Sequence, residues 1–190
     1  MTARAVAFEG LPGAGKTTLI DAVRLSLPGV VVVPELVLVA DAGTSRAFFV
    51  RNDLEKSRVA GAARRALLDR AWPSTVAYVL AEERCDGLAS RPAEVLARLF
   101  GSAPTLPTAF VLLDPVRAET RAYASDYRFG DLRFRQELRR AYREVLALVD
   151  APLLVVDDRP SDELAPFLFR HLGLPSREAP GQPPLAFPCS

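Results

Sequence analysis

The sequence predicts an α/β protein in which a five-stranded parallel sheet lies between helices on both of its faces, forming a three-layer sandwich. Short apolar runs of strand length recur along the 190 residues, and segments with helical spacing separate them, which is the rhythm of parallel βαβ units. A glycine-rich turn also joins the first apolar run to the first helical segment. A chain of this length is large enough to form one domain with a full core. The predicted strands span residues 5–9, 30–33, 66–69, 108–114 and 153–157.

The turn after the first strand matches a phosphate-binding pattern. Residues 10–18 read Gly-Leu-Pro-Gly-Ala-Gly-Lys-Thr-Thr, which fits G-x-x-x-x-G-K-[ST], the P-loop. Between a strand and a helix, this pattern binds the phosphates of a nucleoside triphosphate together with Mg²⁺. ATP and Mg²⁺ are therefore the predicted cofactors. The predicted ATP contacts in the loop are Gly10, Gly13, Ala14, Gly15, Lys16, Thr17 and Thr18.

The residue types of this loop explain the chemistry. Glycine at positions 10, 13 and 15 lets the backbone adopt positive φ and approach a phosphate without a Cβ clash. Lys16 supplies a mobile positive charge for the β- and γ-phosphates, and the Thr17 hydroxyl is placed to bind Mg²⁺. The helix that follows adds the positive end of its dipole.

Three of the first four predicted strands end at a carboxylate, namely Glu9, Asp69 and Asp114. Ligands of open α/β sheets lie beyond the carboxyl ends of the strands. These three side chains are therefore either metal-binding or proton-transfer groups, or simply the first residues of loops. The run at 66–69 also has two interpretations, because it can instead extend the helix that precedes it.

A helix is predicted between the fourth and fifth strands. Apolar residues recur at helical spacing from Phe134 to Val149, and arginines occupy positions 135, 139, 140 and 143 between them. We expect these arginines to form a solvated face rather than a binding patch. The proline-rich residues 174–190 are predicted to form an extended or disordered tail after a single domain at residues 1–173.

Composition excludes several classes of function. The net charge of +1 gives no electrostatic case for nucleic acid or an anionic membrane as a partner. Two cysteines and a single histidine, His171, do not suit a disulfide scaffold, a zinc site or a histidine-based triad. No apolar run approaches the ~20 residues of a membrane span, and no signal peptide precedes the first strand. A cytoplasmic protein is predicted.

Other P-loop classes are excluded by missing signatures. A GTPase carries Asn-Lys-x-Asp for guanine, whereas Asn52 is the only asparagine and Asp53 follows it directly. A transporter ATPase carries Leu-Ser-Gly-Gly-Gln and a longer chain, and neither occurs here. A kinase acting on a small-molecule phosphate acceptor remains.

A second motif makes this interpretation more specific. Asp69 and Arg70 are followed at fixed intervals by Ser74, Ala77 and Tyr78, and the P-loop is preceded by Phe-Glu-Gly. In these segments the chain resembles the thymidylate kinase and deoxynucleoside kinase group of P-loop nucleoside and nucleotide kinases. The resemblance implies that Asp69 serves the Mg²⁺ shell or an acceptor hydroxyl and that Arg70 binds phosphate. Ser74 and Tyr78, four residues apart on one helix face, are the implied substrate contacts.

The resemblance also implies a short lid at about residues 121–133. In these kinases a turn similar to Asp114-Pro115 leads into a segment whose arginines stabilise the charge on the transferring phosphoryl group. Arg121 and Arg128 are the residues that would do this here, and the alternative is an ordinary arginine-rich helix and loop. Arg159, in the loop after the last strand, would face the adenine. A homodimer is likewise implied by the resemblance.

Two departures from the family pattern leave the acceptor open. Pro12 stands where thymidylate kinases have an aspartate for the acceptor sugar, and Glu35 follows the second strand without its usual arginine. Arg46, Arg51, Lys56 and Arg58 are the candidates for the phosphate-binding segment that the family has before Asp69. A monophosphate acceptor needs only positioning and charge screening, whereas a hydroxyl acceptor benefits from a base, which Glu35 or Asp69 could supply.

The sequence therefore predicts an ATP-dependent phosphotransferase that moves the γ-phosphate to a nucleotide or a related nucleoside. Glu35 is accordingly predicted to be both a catalytic and a substrate-binding residue. One alternative is a kinase that phosphorylates a hydroxyl of an antibiotic or another secondary metabolite, as in the chloramphenicol phosphotransferases. Another is a regulatory P-loop ATPase with no acceptor.

Overall fold

The computed structural model describes residues 3–39, 45–115, 128–157 and 162–174, and these contain an open sheet of five strands. The spatial order is β2-β3-β1-β4-β5, and each neighbouring pair is parallel. The predicted fold class is thereby confirmed. The strands are β1 (Arg4–Gly10), β2 (Val31–Val33), β3 (Arg65–Asp69), β4 (Ala109–Leu113) and β5 (Leu153–Val156).

Helices cover both faces of the sheet. The described helices are α1 (Lys16–Arg24), α2 (Arg46–Ala62), α3 (Trp72–Cys85), α4 (Pro92–Phe100), α5 (Leu132–Ala147) and α6 (Leu164–Leu172). Right-handed crossovers place α1 on one face of the sheet and the helices from α2 to α5 on the opposite face, because the chain crosses the sheet in one direction after β1 and in the other direction after β2. α6, which follows the last strand, contacts β1.

The central strands carry the hydrophobic core. Every residue of β4 and all but the first of β1 are buried, as expected for parallel strands that are covered on both faces. The edge strands are less protected, since Val31 of β2 and Val155 of β5 are exposed. The carboxyl ends of β1, β2 and β3 therefore meet at one end of a rigid, dry sheet, and that end carries the P-loop.

The structure decides between the two interpretations of residues 66–69. They form β3, which pairs with β1 on one side and with β2 on the other. The physical reason is burial: Ala66, Leu67 and Leu68 are inaccessible to solvent, and a strand enclosed on both faces needs such a continuous apolar run. The first helix ends at Arg24, before the Pro28-Gly29 stop signal in the sequence.

The expectation that the arginines of α5 form one solvated face is only half right. Arg140 and Arg143 are solvent-exposed, with side chains 68% and 60% accessible. Arg135, however, is buried and donates to the Phe129 carbonyl, and Arg139 is paired with Asp114. The correction arises because buried acceptors from other segments face this helix, which helical spacing alone does not reveal.

Part of the predicted lid and tail lies outside the described residues. This applies to 121–127 of the lid and to 175–190 of the tail. Residues 128–130 form a turn, and α5 begins at Leu132 with the Asp131 carboxylate accepting from the Arg133 amide at 2.9 Å. In the part of the chain that the structure describes, no helix is both long enough and apolar enough to cross a bilayer.

Candidate active site

The loop between β1 and α1 has the backbone conformation that a phosphate cradle requires. Gly10 and Gly15 have φ of 134° and 91°, values at which a side chain is strained. A Cβ on Gly10 would also lie 2.2 Å from the Leu113 carbonyl oxygen of β4. The loop therefore begins where β1 and β4 approach most closely, and it delivers Gly15 to the N-cap of α1.

Lys16 is held inside this loop. Its side chain donates to the carbonyls of Gly10 at 3.1 Å and Leu11 at 2.9 Å, and the residue is only 5% exposed. Burial lowers the pKa of Lys16 to about 7, because the charged ammonium is withdrawn from water. A polyphosphate in the loop would offset that effect, so the ammonium is positioned for an anionic ligand.

A hydroxyl and a carboxylate meet beside the lysine. The Thr17 hydroxyl donates to Asp69 Oδ2 at 2.6 Å, and Asp69 is buried at the end of β3. Its second oxygen, Oδ1, is buried with no hydrogen-bond partner among the described residues. A buried carboxylate oxygen without a partner, next to a hydroxyl, suits Mg²⁺, which takes few protein ligands and keeps water and phosphate oxygens in its shell. The described residues contain no cluster of three or more His, Cys, Asp or Glu side chains that could hold a metal.

Arg70 joins three parts of the site. Its backbone is in the left-handed region, with φ of 63°, and its guanidinium donates to the Gly10 carbonyl at 3.1 Å and the Tyr142 hydroxyl at 2.5 Å. Its Nε also lies 2.9 Å from Glu35 Oε1. That contact is an ion pair without an aligned hydrogen bond. Strained backbone at such a position is typical of functional sites.

Beneath Arg70 lies a buried polar cluster. Glu9 is inaccessible to solvent and accepts a hydrogen bond from the Ser74 hydroxyl, and the hydroxyls of Ser74 and Tyr142 are 2.9 Å apart. Burial raises the pKa of Glu9 to about 8 and that of Tyr142 to about 12, because neither anion is hydrated there. This cluster fixes Arg70 from below.

The loop after β2 is fixed by two side chains of α2. Asn52 donates to the Glu35 carbonyl at 2.9 Å and accepts from the amides of Val37 and Leu38 at 2.9 and 3.2 Å. Lys56, fully buried, donates to the carbonyls of Glu35 at 3.2 Å and Asp69 at 2.6 Å. The Glu35 carboxylate, 56% exposed, therefore projects from a firmly anchored backbone into the site.

These groups line one cavity of about 940 Å³ that starts at the P-loop and continues between α2, α3 and α5. Phosphates of a donor fit the loop end, and the remaining volume is sufficient for a second small molecule. The lining residues from outside the P-loop and the first turn of α1 are Glu35, Leu36, Arg46, Phe49, Asn52, Asp53, Lys56, Arg70, Ser74, Thr75, Tyr78, Val79, Glu82, Phe129, Leu138 and Tyr142.

The structure brings most of the predicted site residues together. Lys16, Thr17, Glu35, Arg70 and the Ser74 and Tyr78 pair all line this cavity. Gly13, Gly15 and Thr18 line it too. The Asp69 carboxylate accepts a hydrogen bond from Thr17, which is one of the lining residues.

The remaining predicted residues outside the P-loop divide into three cases. Arg128 lies 3.4 Å from Glu82 Oε1 at the cavity wall, where Glu82 also pairs with Arg46 at 3.1 Å. Arg51 is exposed on α2 and does not contribute to the described wall of the cavity. Arg121 and Arg159 lie outside the described residues.

Sequence reasoning missed part of the site, since it names Lys56 as a candidate but not Asn52 and Asp53. All three are buried polar residues of α2, and their spacing places Asn52 and Lys56 one turn apart. Polar residues at buried positions of a helix indicate a site, but the sequence alone does not show that these positions are buried. Tyr142 lies within the apolar helical stripe from Phe134 to Val149, and nothing in the neighbouring sequence indicates that its hydroxyl reaches Arg70.

Comparison with known proteins identifies the fold. No protein-family model matches the sequence, and no curated protein matches it significantly. Among solved structures, thymidylate kinase from Candida albicans is similar, with a TM-score of 0.63 at 16% identity over 89% of this chain and 90% of that chain. Thymidylate kinase from Ehrlichia chaffeensis has a TM-score of 0.54 at 17% identity, covering 91% and 96%.

A third similar structure is deoxyadenosine kinase from M. mycoides with bound dATP, with a TM-score of 0.62 at 12% identity over 87% and 97% of the two chains. The chain has a thymidylate kinase-like P-loop fold. At these identities the likeness concerns the fold, and the activity has to be argued from the residues of the site.

Proposed function

We propose that this protein is a Mg²⁺-dependent phosphotransferase that moves the γ-phosphoryl group of ATP to a nucleotide or a related nucleoside. The observation that carries the proposal is the contact of Thr17 with Asp69 beside buried Lys16, at one end of a cavity that has room for a second molecule. A P-loop alone would support triphosphate binding. The continuation of the same cavity between α2 and α3 supports an acceptor.

The described residues suit the separate parts of phosphoryl transfer. The glycine-rich backbone and Lys16 would bind the β- and γ-phosphates, and Thr17 and Asp69 would hold Mg²⁺. When bound, the ion neutralises charge on the phosphate oxygens. Arg70, fixed by Tyr142 and the Gly10 carbonyl, would place its planar donors beside the transferring group.

Glu35 favours an acceptor that reacts through a hydroxyl group. Its carboxylate is accessible and lies at 2.9 Å from Arg70, so it can accept a proton from a hydroxyl held near the phosphate. The cations near this point are already engaged: Arg46 with Glu82, and Lys56 with two carbonyls. A second candidate function, phosphorylation of a hydroxyl on an antibiotic or another secondary metabolite, is supported by the same observation.

The test is ATP consumption with a panel of nucleosides, nucleoside monophosphates and hydroxyl-bearing antibiotics, with products identified by mass spectrometry. We expect turnover that depends on Mg²⁺ and is stimulated by a nucleoside or nucleotide. Lys16→Ala should abolish transfer, whereas Arg24→Ala, an exposed change on the same helix, should not. Slow hydrolysis that no acceptor stimulates would contradict the proposal and favour a regulatory ATPase, and a phosphorylated antibiotic would favour the second candidate.

A further inference from the structure

Asp53 is a buried carboxylate in the wall of the cavity with half of its binding capacity unused. The residue is 5% exposed and lines the cavity from α2. Its Oδ2 accepts from the Thr75 hydroxyl at 2.6 Å. Its other oxygen, Oδ1, takes part in no hydrogen bond among the described residues. This oxygen is not fully buried, so it is open to the cavity and can accept hydrogen bonds from a ligand there.

The neighbouring polar side chains point their hydrogen bonds elsewhere. Asn52 donates to the Glu35 carbonyl and accepts from the loop after β2, and the Lys56 ammonium donates to the carbonyls of Glu35 and Asp69 and forms no ion pair with Asp53. Thr75 already gives its only proton to Asp53. The free oxygen of Asp53 is therefore available to a molecule in the cavity.

Flat and apolar groups line the same cavity from both helices. Phe49 lies four residues before Asp53 on α2, and Tyr78 and Val79 lie three and four residues after Thr75 on α3, so each pair shares a helix face. All of these residues line the same cavity. A carboxylate between aromatic walls is a site for a planar or amine-bearing group that donates hydrogen bonds.

We propose that Asp53 is a specificity-determining residue of the acceptor site and that the acceptor presents an amino or amidine N–H group to it. This inference rests on the proposed function. Exocyclic amino groups of nucleobases supply such donors, whereas a base whose edge carries carbonyl groups beside a single N–H would place oxygen against the carboxylate. The preference is therefore for amino-bearing acceptors over their carbonyl-bearing counterparts.

The ionisation of Asp53 supports this chemistry. Burial raises the pKa of Asp53 to about 6, so the carboxylate is still mainly ionised near neutral pH. The charged groups that act on it are Lys56 and Arg70, which favour the anion, and Glu35, which opposes it. A ligand with a positive or donating group would stabilise the ionised form further.

The test uses matched pairs that differ only in an amino or a carbonyl group: cytidine with uridine and adenosine with inosine, each as nucleoside and monophosphate. Binding is measured by calorimetry on the Lys16→Ala protein, which cannot turn over, and KM and kcat are measured on the wild type. We expect the amino member of a pair to bind at least about tenfold more tightly. Asp53→Asn should raise the KM of the amino-bearing acceptor with little change in kcat. The preference should disappear or reverse, because the new amide can donate to the carbonyl of the other member of the pair.

Two further variants keep the outcome interpretable. Thr75→Val retains the carboxylate but frees it to rotate, so it should weaken the preference without reversing it, and the exposed Asp86→Asn should leave the preference intact. Equal binding within every pair, no binding of any member, or an unchanged preference in a folded Asp53→Asn protein would overturn the inference. If the pairs are discriminated in binding but no acceptor is phosphorylated, the proposed function fails and the inference about Asp53 stands.

Discussion

Single residues of this site combine burial with incomplete hydrogen bonding, and Glu9 shows what that implies. Its carboxyl group is inaccessible to solvent, and only one of its oxygens, which accepts from Ser74, is hydrogen-bonded among the described residues. Arg70 nearby favours the anion, but burial dominates and raises the pKa to about 8. Glu9 is therefore protonated over much of the range in which an exposed glutamate is ionised. A neutral acid at the base of the site serves to hold Ser74 and Tyr142 in place rather than to bind metal.

This protonation predicts a pH dependence of stability. Because the folded pKa of about 8 exceeds the ordinary glutamate value of 4.5, the folded chain binds more protons than the unfolded chain between those values, and stability falls as pH rises through that window. A tenfold difference in proton affinity between the two states corresponds to about 1.4 kcal/mol. Glu9→Gln keeps the shape and removes the titration. Urea unfolding near about pH 5 and about pH 8 should therefore show the wild type losing stability relative to the variant.

The opposing titration of Lys16 does not affect the comparison of the wild type with Glu9→Gln. Its pKa is lowered to about 7, so its contribution to stability is lost as pH falls through that value. Both proteins contain Lys16, and the difference between them isolates Glu9. Parallel stability profiles for the two proteins would show that Glu9 is ionised in the folded state.

The Tyr142 hydroxyl yields a second prediction at this scale. It contacts Arg70 at 2.5 Å and Ser74 at 2.9 Å, yet it is not in the P-loop or in any predicted motif. Tyr142→Phe should lower kcat by about tenfold or more, because a charge-assisted hydrogen bond of about 1.5–3 kcal/mol that positions Arg70 is lost. The KM for ATP should change little, since Lys16 and the loop are untouched. A variant that loses ATP affinity and kcat equally would contradict this positioning role.

At the scale of elements, α5 is attached to the sheet by charge as well as by its apolar face. Asp114, directly after β4, is buried and accepts from both Arg139 and Arg143. The side chain of Arg139 is 19% exposed and that of Arg143 is 60% exposed. The carboxylate thus joins the end of β4 to the helix that supplies Tyr142 to the site.

Removal of the Asp114 carboxylate should lower stability more than removal of its exposed partner, Arg143. Asp114→Ala removes the carboxylate that pairs with the mostly buried guanidinium of Arg139 and should cost about 1–3 kcal/mol of stability. Arg143→Ala breaks a solvent-exposed contact and should cost less than about 1 kcal/mol. Chemical denaturation of both variants measures the difference. Equal losses would show that the two ion pairs contribute alike and that burial of Arg139 is unimportant.

Elements with a local signature could be predicted from the sequence, whereas elements defined by distant partners could not. The predicted strands at 5–9 and 153–157 agree with β1 and β5 to within one residue at each end, because apolar runs and turn residues are local properties of the sequence. The solvated interpretation of Arg139 was wrong because its partner, Asp114, is 25 residues away. Asp53 could likewise not be recognised, since its hydrogen bond with Thr75 joins two helices.

At the scale of the whole molecule, the parallel sheet brings these distant residues together. The register pairs Phe8 with Asp69 and Gly10 with Leu113, so the ends of β1, β3 and β4 coincide at the P-loop. Motif spacing could predict that Lys16 and Asp69 share a site, because both follow strands of one sheet. It could not predict the cluster of Glu9, Ser74 and Tyr142, which requires α3 and α5 to pack on the same face.

Gly10 serves both the fold and the site, because it pairs with Leu113 of β4 and begins the P-loop. Its φ is 134°, and a Cβ there would lie 2.2 Å from the Leu113 carbonyl oxygen in the neighbouring strand. Gly10→Ala must therefore separate β1 from β4 or distort the loop, at a cost of at least about 3 kcal/mol. Gly87→Ala is the matched control, since its φ of 84° is also positive but its Cβ would meet open space, and strain alone costs about 1–2 kcal/mol. Thermal unfolding of the two variants separates these effects, and equal destabilisation would mean that backbone strain, rather than the approach of β4, makes glycine necessary at position 10.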